Sequence, residues 1–232
     1  MSTPPPPRII ALDGPSGSGK STVAKAVARH LGWRYLDTGA TYRAVTLAVL
    51  RAGVDLADSA TVAQVAAAAD VRPRTDPDAP GVDLDGAAVD AEIRGPAVTA
   101  AVSAVSAVPA VRAQLVALQR EVAGQDAVIE GRDIGTAVFP DAPVKVFLDA
   151  DVAVRAQRRS LDAEVGVNVP SGDVVDAVAA DLARRDRLDT ARTASPLVAA
   201  ADAVHLDATE LTADEVIAKV LLLAEAAGLG PA

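Results

Sequence analysis

The sequence contains no cysteine and only two histidines, His30 and His205. Disulfides, thiolate metal sites and a cysteine nucleophile are therefore excluded, and so is a histidine-rich zinc site. Aromatic residues are 2% of a chain that is 50% hydrophobic. The core must be built from Ala, Val and Leu, and stacking on aromatic platforms is not the main way of holding a ligand. Positive charge is also short, with 22 Lys and Arg against 31 Asp and Glu for a net charge of -9. Such a chain has no global attraction to phosphate backbones or anionic lipid, so neither nucleic acid nor a membrane is an expected partner. Long apolar runs are missing as well. The uncharged stretch Gly95 to Val111 is interrupted by Pro96, Thr99, Ser103, Ser106 and Pro109, which makes it too short and too polar to span a bilayer. The N-terminus, MSTPPPPRII, has prolines where a secretion signal needs an apolar segment. Residues 1–7 read as a disordered tail and the protein as cytoplasmic.

What is present is a regular alternation. Short apolar runs bounded by charged or turn residues recur at Arg8 to Asp13, Arg34 to Asp37, Ala127 to Glu130, Val144 to Asp149 and Ala203 to Asp207. These read as buried strands, and the segments between them place apolar residues three and four apart, as in Val23, Val27 and Leu31. The expected fold is α/β, a five-stranded parallel sheet covered by helices, with ligands outside the carboxyl ends of the strands. Between about Val54 and Gly124 the pattern changes to Val71 to Arg74 and isolated hydrophobics at Val82, Leu84 and Val89, among Pro77, Pro80, Gly81 and Gly86. That segment, 54–124, reads as an insert of short antiparallel strands followed by helices. The core is then 8–53 together with 125–232, and the arginine-rich stretch at about 161–196 reads as a mobile, partly helical lid.

The first strand runs directly into Gly14-Pro15-Ser16-Gly17-Ser18-Gly19-Lys20-Ser21-Thr22, a complete match to G-x-x-x-x-G-K-[ST]. Glycines at these positions let successive N–H groups turn inward around a β-phosphate. The helix that opens at Lys20 adds unpaired N–H groups and its positive end. Lys20 can reach the β and γ oxygens, and the Ser21 hydroxyl is placed to ligate magnesium. ATP with Mg2+ is the expected donor and cofactor. The chain has no N-K-x-D guanine motif, and its fourth strand ends Asp149-Ala150 rather than in paired acids that could position a hydrolytic water. Kinase chemistry is favoured, because a phosphoryl in transit is stabilised by several arginines in a closed site. Arg43, Arg94, Arg112, Arg132, Arg155, Arg158, Arg159, Arg184, Arg185 and Arg192 supply them despite the acidic balance.

Two further blocks follow strands: Asp37-Thr38-Gly39-Ala40-Thr41-Tyr42-Arg43, and Glu130-Gly131-Arg132-Asp133-Ile134-Gly135-Thr136-Ala137-Val138-Phe139-Pro140-Asp141-Ala142-Pro143. On these residues the chain resembles the bacterial cytidylate kinases, from about Arg8 to Ala227. The resemblance implies a P-loop NTPase core with a substrate-binding insert and a lid, transferring the γ-phosphoryl of ATP to CMP or dCMP. It implies Arg43, Arg132 and Arg185 at the acceptor's phosphate, with Asp37, Thr38 and Tyr42 shaping the crevice. Ser103, Arg112, Asp133 and Arg192 would meet cytosine, and Arg185 with Asp189 the sugar hydroxyls. Lys20, Arg132, Arg185 and the lid residue Arg158 would carry the transferring charge. The chain departs from many relatives in Thr38 for Ser, in Glu130 for Asp, and in Leu188 and Thr190 where the lid often carries more charge.

The chemistry of the base points the same way. Cytosine offers an amino donor beside two acceptors, which Asp133 with Arg112 and Ser103 can match; uracil would set a carbonyl against Asp133. The rivals are another P-loop small-molecule kinase, acting on UMP, AMP or shikimate, and a regulatory protein that holds ATP without turnover. A monomer is expected, since no long apolar stripe is visible.

Overall fold

In the computed structural model, residues 7–161, 172–192 and 195–231 are described. The expected tail falls almost wholly outside them, as do 162–171 and 193–194 of the expected lid.

The first strand, β1 (Arg8–Asp13), is buried from Ile9 onward and lies at the centre of the molecule. The helix α1 (Lys20–Leu31) turns Val23, Ala24, Val27, Ala28 and Leu31 inward, at the three- and four-residue spacing that marks an amphipathic helix. β2 (Arg34–Asp37) follows, and the Asp37 carboxylate caps α2 (Thr38–Arg51) by accepting from the Ala40 N–H at 3.0 Å. α3 (Ser59–Ala68) leads into β3 (Val71–Arg74), β4 (Gly81–Leu84) and β5 (Ala87–Ala88), a three-stranded antiparallel sheet. A single turn of 3-10 helix, Glu92–Arg94, precedes α4 (Pro96–Ser106) and α5 (Pro109–Ala123). The chain then returns to the main sheet through β6 (Asp126–Gly131), a π-helical turn at Ile134–Val138, and β7 (Val144–Asp149). α6 (Val152–Leu161) and α7 (Gly172–Thr190) pack on each other, and β8 (Val204–Asp207) and α8 (Ala213–Ala226) complete the order.

The main sheet has the order β2-β6-β1-β7-β8, parallel throughout. The five runs expected to be strands are these five strands, to within a residue at each end. The apolar runs of the inner strands have a simple cause, since both their faces are covered, whereas β8, expected to be buried, lies at the sheet edge and is largely exposed, with Val204 at 40%. Ile10, Leu12, Val128 and Leu148 face α1 and α8, whereas Ile9, Ala11, Ile129 and Leu36 face the turn at Ile134 and Val138. A third apolar cluster joins Val45 and Val49 of α2 to Val62, Val82, Leu84, Ile93, Val98 and Leu115, so α2 shares its core with the antiparallel sheet and α3 to α5. The two sheets meet where the Tyr35 N–H donates to the Thr75 carbonyl at 2.9 Å. No single helix among the described residues is long and apolar enough to cross a membrane; α4 and α5, bent by 99°, turn Val98, Val102, Val105, Val111 and Leu115 into the third cluster.

Ile10 is fully buried in the central strand and Leu222 on α8 is 63% exposed, which sets a contrast. Ile10→Ala should lower the unfolding free energy by about 2–5 kcal/mol, and Leu222→Ala by no more than about 0.5 kcal/mol. Urea denaturation of the two variants measures both; equal losses would contradict this placement of the core.

Candidate active site

At the carboxyl end of β1 the chain must reverse beside β7. A Cβ on Gly14, whose φ is 146°, would lie 2.0 Å from the Leu148 carbonyl oxygen, so a side chain there cannot be accommodated. Gly17, at φ 80°, also passes close to the Arg155 backbone, where a Cβ would lie 2.9 Å from the carbonyl oxygen. The loop so formed ends at the start of α1. Lys20 folds back over it, donating from Nζ to the Pro15 carbonyl at 2.7 Å and to Ser18 Oγ at 3.4 Å. Burial lowers the Lys20 ammonium, and the positive charge of Arg132 lowers it further.

Two strand ends tie this region together through carboxylates. Both oxygens of Asp13 accept backbone N–H groups of the loop after β6, Ile134 and Gly135, each at 2.7 Å. Glu130, at the end of β6, accepts from Ser21 Oγ at 2.9 Å on one oxygen and from the Tyr35 hydroxyl on the other. Its own carbonyl accepts from Thr38 Oγ1 at 2.7 Å. Burial, with Asp37 nearby, pushes the Glu130 carboxyl well above the ordinary range. Asp37 lies 3.9 Å from Arg94.

A second arm opens between α2, α4, α5 and α7. Arg43 on α2 donates to the Ile93 carbonyl at 2.9 Å and to Thr99 Oγ1 at 3.0 Å, and burial beside Arg185 holds it down at about 10. Arg112 on α5 pairs with Asp133 and lies 5.3 Å from the centre of the Tyr42 ring. Asp133 therefore takes Arg112 as its partner, while Arg132 turns the other way, 3.4 Å from Asp186 and 3.0 Å from Asp189. Asp189 also pairs with Arg192. The Tyr42 hydroxyl, Arg185 Nε and Arg192 Nε are buried with no hydrogen-bond partner among the described residues. Burial raises Tyr42 to about 12 and lowers both arginines. Polar groups left unpaired at this depth are costly to the protein alone, and they are donors held ready for a ligand.

The loop and the arm are two ends of one cleft of about 550 Å³. Of the residues expected at the site, Ser16 through Thr22, Asp37, Thr38, Tyr42, Arg43, Ser103, Arg112, Arg132, Asp133, Arg158, Arg185, Asp189 and Arg192 all line it. Gly14 and Pro15 do not, since Gly14 sits behind the loop and Pro15 is engaged through its carbonyl. Arg158 reaches across to the Ala208 carbonyl at 2.7 Å, anchoring the segment after β8. That segment supplies what was not anticipated, an apolar end of the cleft lined by Leu148, Ala208, Leu211, Ala213 and Val216. Its only signal in the sequence was position, just past the carboxyl end of the fifth strand. Arg94 and Arg159, expected only among the arginines that stabilise a phosphoryl, also line the cleft, as does Ser106, to which the sequence assigned no role. No cluster of His, Asp and Glu able to hold a metal by itself occurs among the described residues.

The family model described as cytidylate kinase matches residues 10–226. A protein of Mycolicibacterium paratuberculosis named cytidylate kinase is 54% identical over 213 residues, covering 90% of this chain and 91% of the relative. Cytidylate kinases of Nocardia farcinica and Rhodococcus opacus are each 53% identical, the latter with 96% of this chain and 97% of the relative covered.

Burial pushes the Asp13 carboxyl up to about 6. The folded chain thus holds that proton more tightly than the unfolded one, so the contribution of Asp13 to stability is greatest below about pH 4 and is lost as the pH rises through about 6. Relative to Asp13→Asn, the unfolding free energy of the wild type should fall by about 2 kcal/mol between pH 4 and pH 7. Urea unfolding across that range checks it; a difference that stays constant or widens in favour of the wild type would contradict the assignment.

Proposed function

The chain belongs to the cytidylate kinase family, and we propose from that premise how its cleft divides the transfer of the ATP γ-phosphoryl to CMP or dCMP. The observation that carries the reading is the single cleft with a phosphate-binding loop at one end and a paired Arg112 and Asp133 at the other.

ATP is the donor. Its phosphates lie in the loop from Gly14 to Thr22, with Lys20 on the β and γ oxygens, and its adenine lies against the apolar end near Leu148, Ala208 and Val216. The Ser21 hydroxyl and the Glu130 carboxylate, one hydrogen bond apart, are hard oxygen donors that suit magnesium. Held by these two groups, magnesium would supply neutralisation of the donor's phosphate charge. The acceptor lies in the other arm, its phosphate met by Arg43, Arg132 and Arg185 and its sugar by Arg185 and Asp189. Segment 54–124 serves as the acceptor-binding insert on a core of 8–53 and 125–232. No general base is needed, since the attacking oxygen already belongs to a phosphate anion. The work of Lys20, Arg132, Arg158 and Arg185 is to place the two phosphates in line and to stabilise charge on the group in flight. The cleft is lined on both sides of that group, and exclusion of water then suppresses loss of the phosphoryl to hydrolysis.

Base choice rests on Asp133. Its carboxylate accepts the cytosine amino group, is held in place by Arg112, and meets uracil with acceptor against acceptor. Neither UMP nor shikimate offers Asp133 an amino group, and a non-hydrolysing ATP switch has no use for a second arginine-lined arm.

Because Asp133 shields the buried Arg112, the informative variant keeps its shape. Asp133→Asn leaves an oxygen for Arg112 and turns an amide donor toward the base. With ATP as donor, the wild type should prefer CMP to UMP by roughly a hundredfold in kcat/KM, and Asp133→Asn should lower that ratio by at least about tenfold. Initial rates on the two monophosphates measure it. Equal losses on both would show that Asp133 only holds the loop, and a wild type without activity on CMP would overturn the function.

A further inference from the structure

Arg155, on α6, has its side chain almost wholly buried and does not line the cleft. Its guanidinium nevertheless touches the donor loop, since Nη1 donates to the Ser16 carbonyl at 3.1 Å. The same nitrogen lies 2.7 Å from Asp186 Oδ2 on α7. The other oxygen of Asp186 is 3.4 Å from Arg132 Nη1, and Arg132 Nε continues to Asp189 Oδ2 at 3.0 Å. One unbroken run of polar contacts therefore joins the loop that takes the donor to the arginine that takes the acceptor. Asp186 is the member that touches both sides, and nothing in the reaction described above employs it.

We propose that Asp186 is a positioning residue that couples the two nucleotide sites, so that a filled donor loop prepares Arg132 for the acceptor phosphate. This rests on the assignment of donor and acceptor to the two arms. Phosphates bound in the loop fix the Ser16 carbonyl, and a fixed carbonyl holds Arg155 in one orientation. Arg155 then holds Asp186, which shares its charge between two guanidinium groups and aligns the second. An acceptor arriving afterwards loses less side-chain freedom than it would in the free protein, which is positive cooperativity. Reciprocity requires that the acceptor tighten the donor by the same factor. Without Asp186, Arg132 keeps Asp189 and Arg155 keeps the more distant Asp149, but no shared carboxylate links the two guanidinium groups and they move independently.

Isothermal titration calorimetry with the β,γ-imido analogue of ATP, in the absence and presence of saturating CMP, reads the coupling on the intact chain without turnover. The wild type should bind the analogue at least about fivefold more tightly with CMP present. In Asp186→Ala that factor should fall to within about twofold of unity, while the Kd of each nucleotide alone changes by less than about threefold. Asp186→Glu, which keeps the charge, should recover most of the coupling; a purely structural tie between α6 and α7 predicts altered melting with the factor intact. If Asp186→Ala does not fold, Asp186→Asn gives the same reading with the shape preserved. Full coupling in a folded neutral variant, or none in the wild type, overturns the proposal. A wild type that binds neither nucleotide overturns the arm assignment and this proposal together.

Discussion

Like charges crowded into a cleft repel, and a site built to receive phosphates on both sides of a reaction cannot avoid the crowding. Eight arginines and Lys20 line this cleft, with four carboxylates among them. In the absence of nucleotides the repulsion is met by pairing: Arg112 with Asp133, Arg132 with Asp186 and Asp189, and Arg192 with Asp189. Buried pairs of this kind are costly to break, because each would leave a charge uncompensated away from water. The excess of acid in the chain accordingly says little about its partners at close range. Positive charge is concentrated in the cleft, and its acids set the orientation of Arg112, Arg132 and Arg192.

The scaffold that allows this is legible in the sequence because it is repetitive. Strands buried on both faces are apolar through their centres, so RIIALD and DAVIEG are recognisable from composition alone. The phosphate loop is recognisable for a different reason: its glycines occupy backbone positions where a Cβ would strike Leu148 or Arg155, and few other residues could stand there. The insert was visible as a loss of pattern, and its three short strands lie where the scattered valines and leucines placed them.

What could not be read was pairing across long separations. Arg112 and Asp133 are brought together by α5 and the turn after β6, and nothing local to either residue names the other. The same holds for Glu130, whose extra methylene relative to Asp carries its carboxylate to both Ser21 and the Tyr35 hydroxyl. Tyr35 read only as one apolar residue of a strand. Asp13 and Asp186 were unremarkable acids in the sequence, since their roles depend on which N–H groups and guanidinium groups the topology delivers to them. The apolar end of the cleft was missed because Ala208, Leu211 and Val216 are common residues that become a wall only when α8 folds back beside β7.

The central claim is that the arginine-lined arm, organised by its own carboxylates, is the acceptor site, and that the apolar end beyond the loop is not. A crystal structure of the protein with CMP measures this directly. The expected result places the phosphate in hydrogen-bonding distance of Arg43, Arg132 and Arg185, with the cytosine amino group on Asp133 and the Arg112 pair intact. CMP bound instead with its base against Leu148, Ala208 and Val216, leaving Asp133 without a ligand contact, would contradict it.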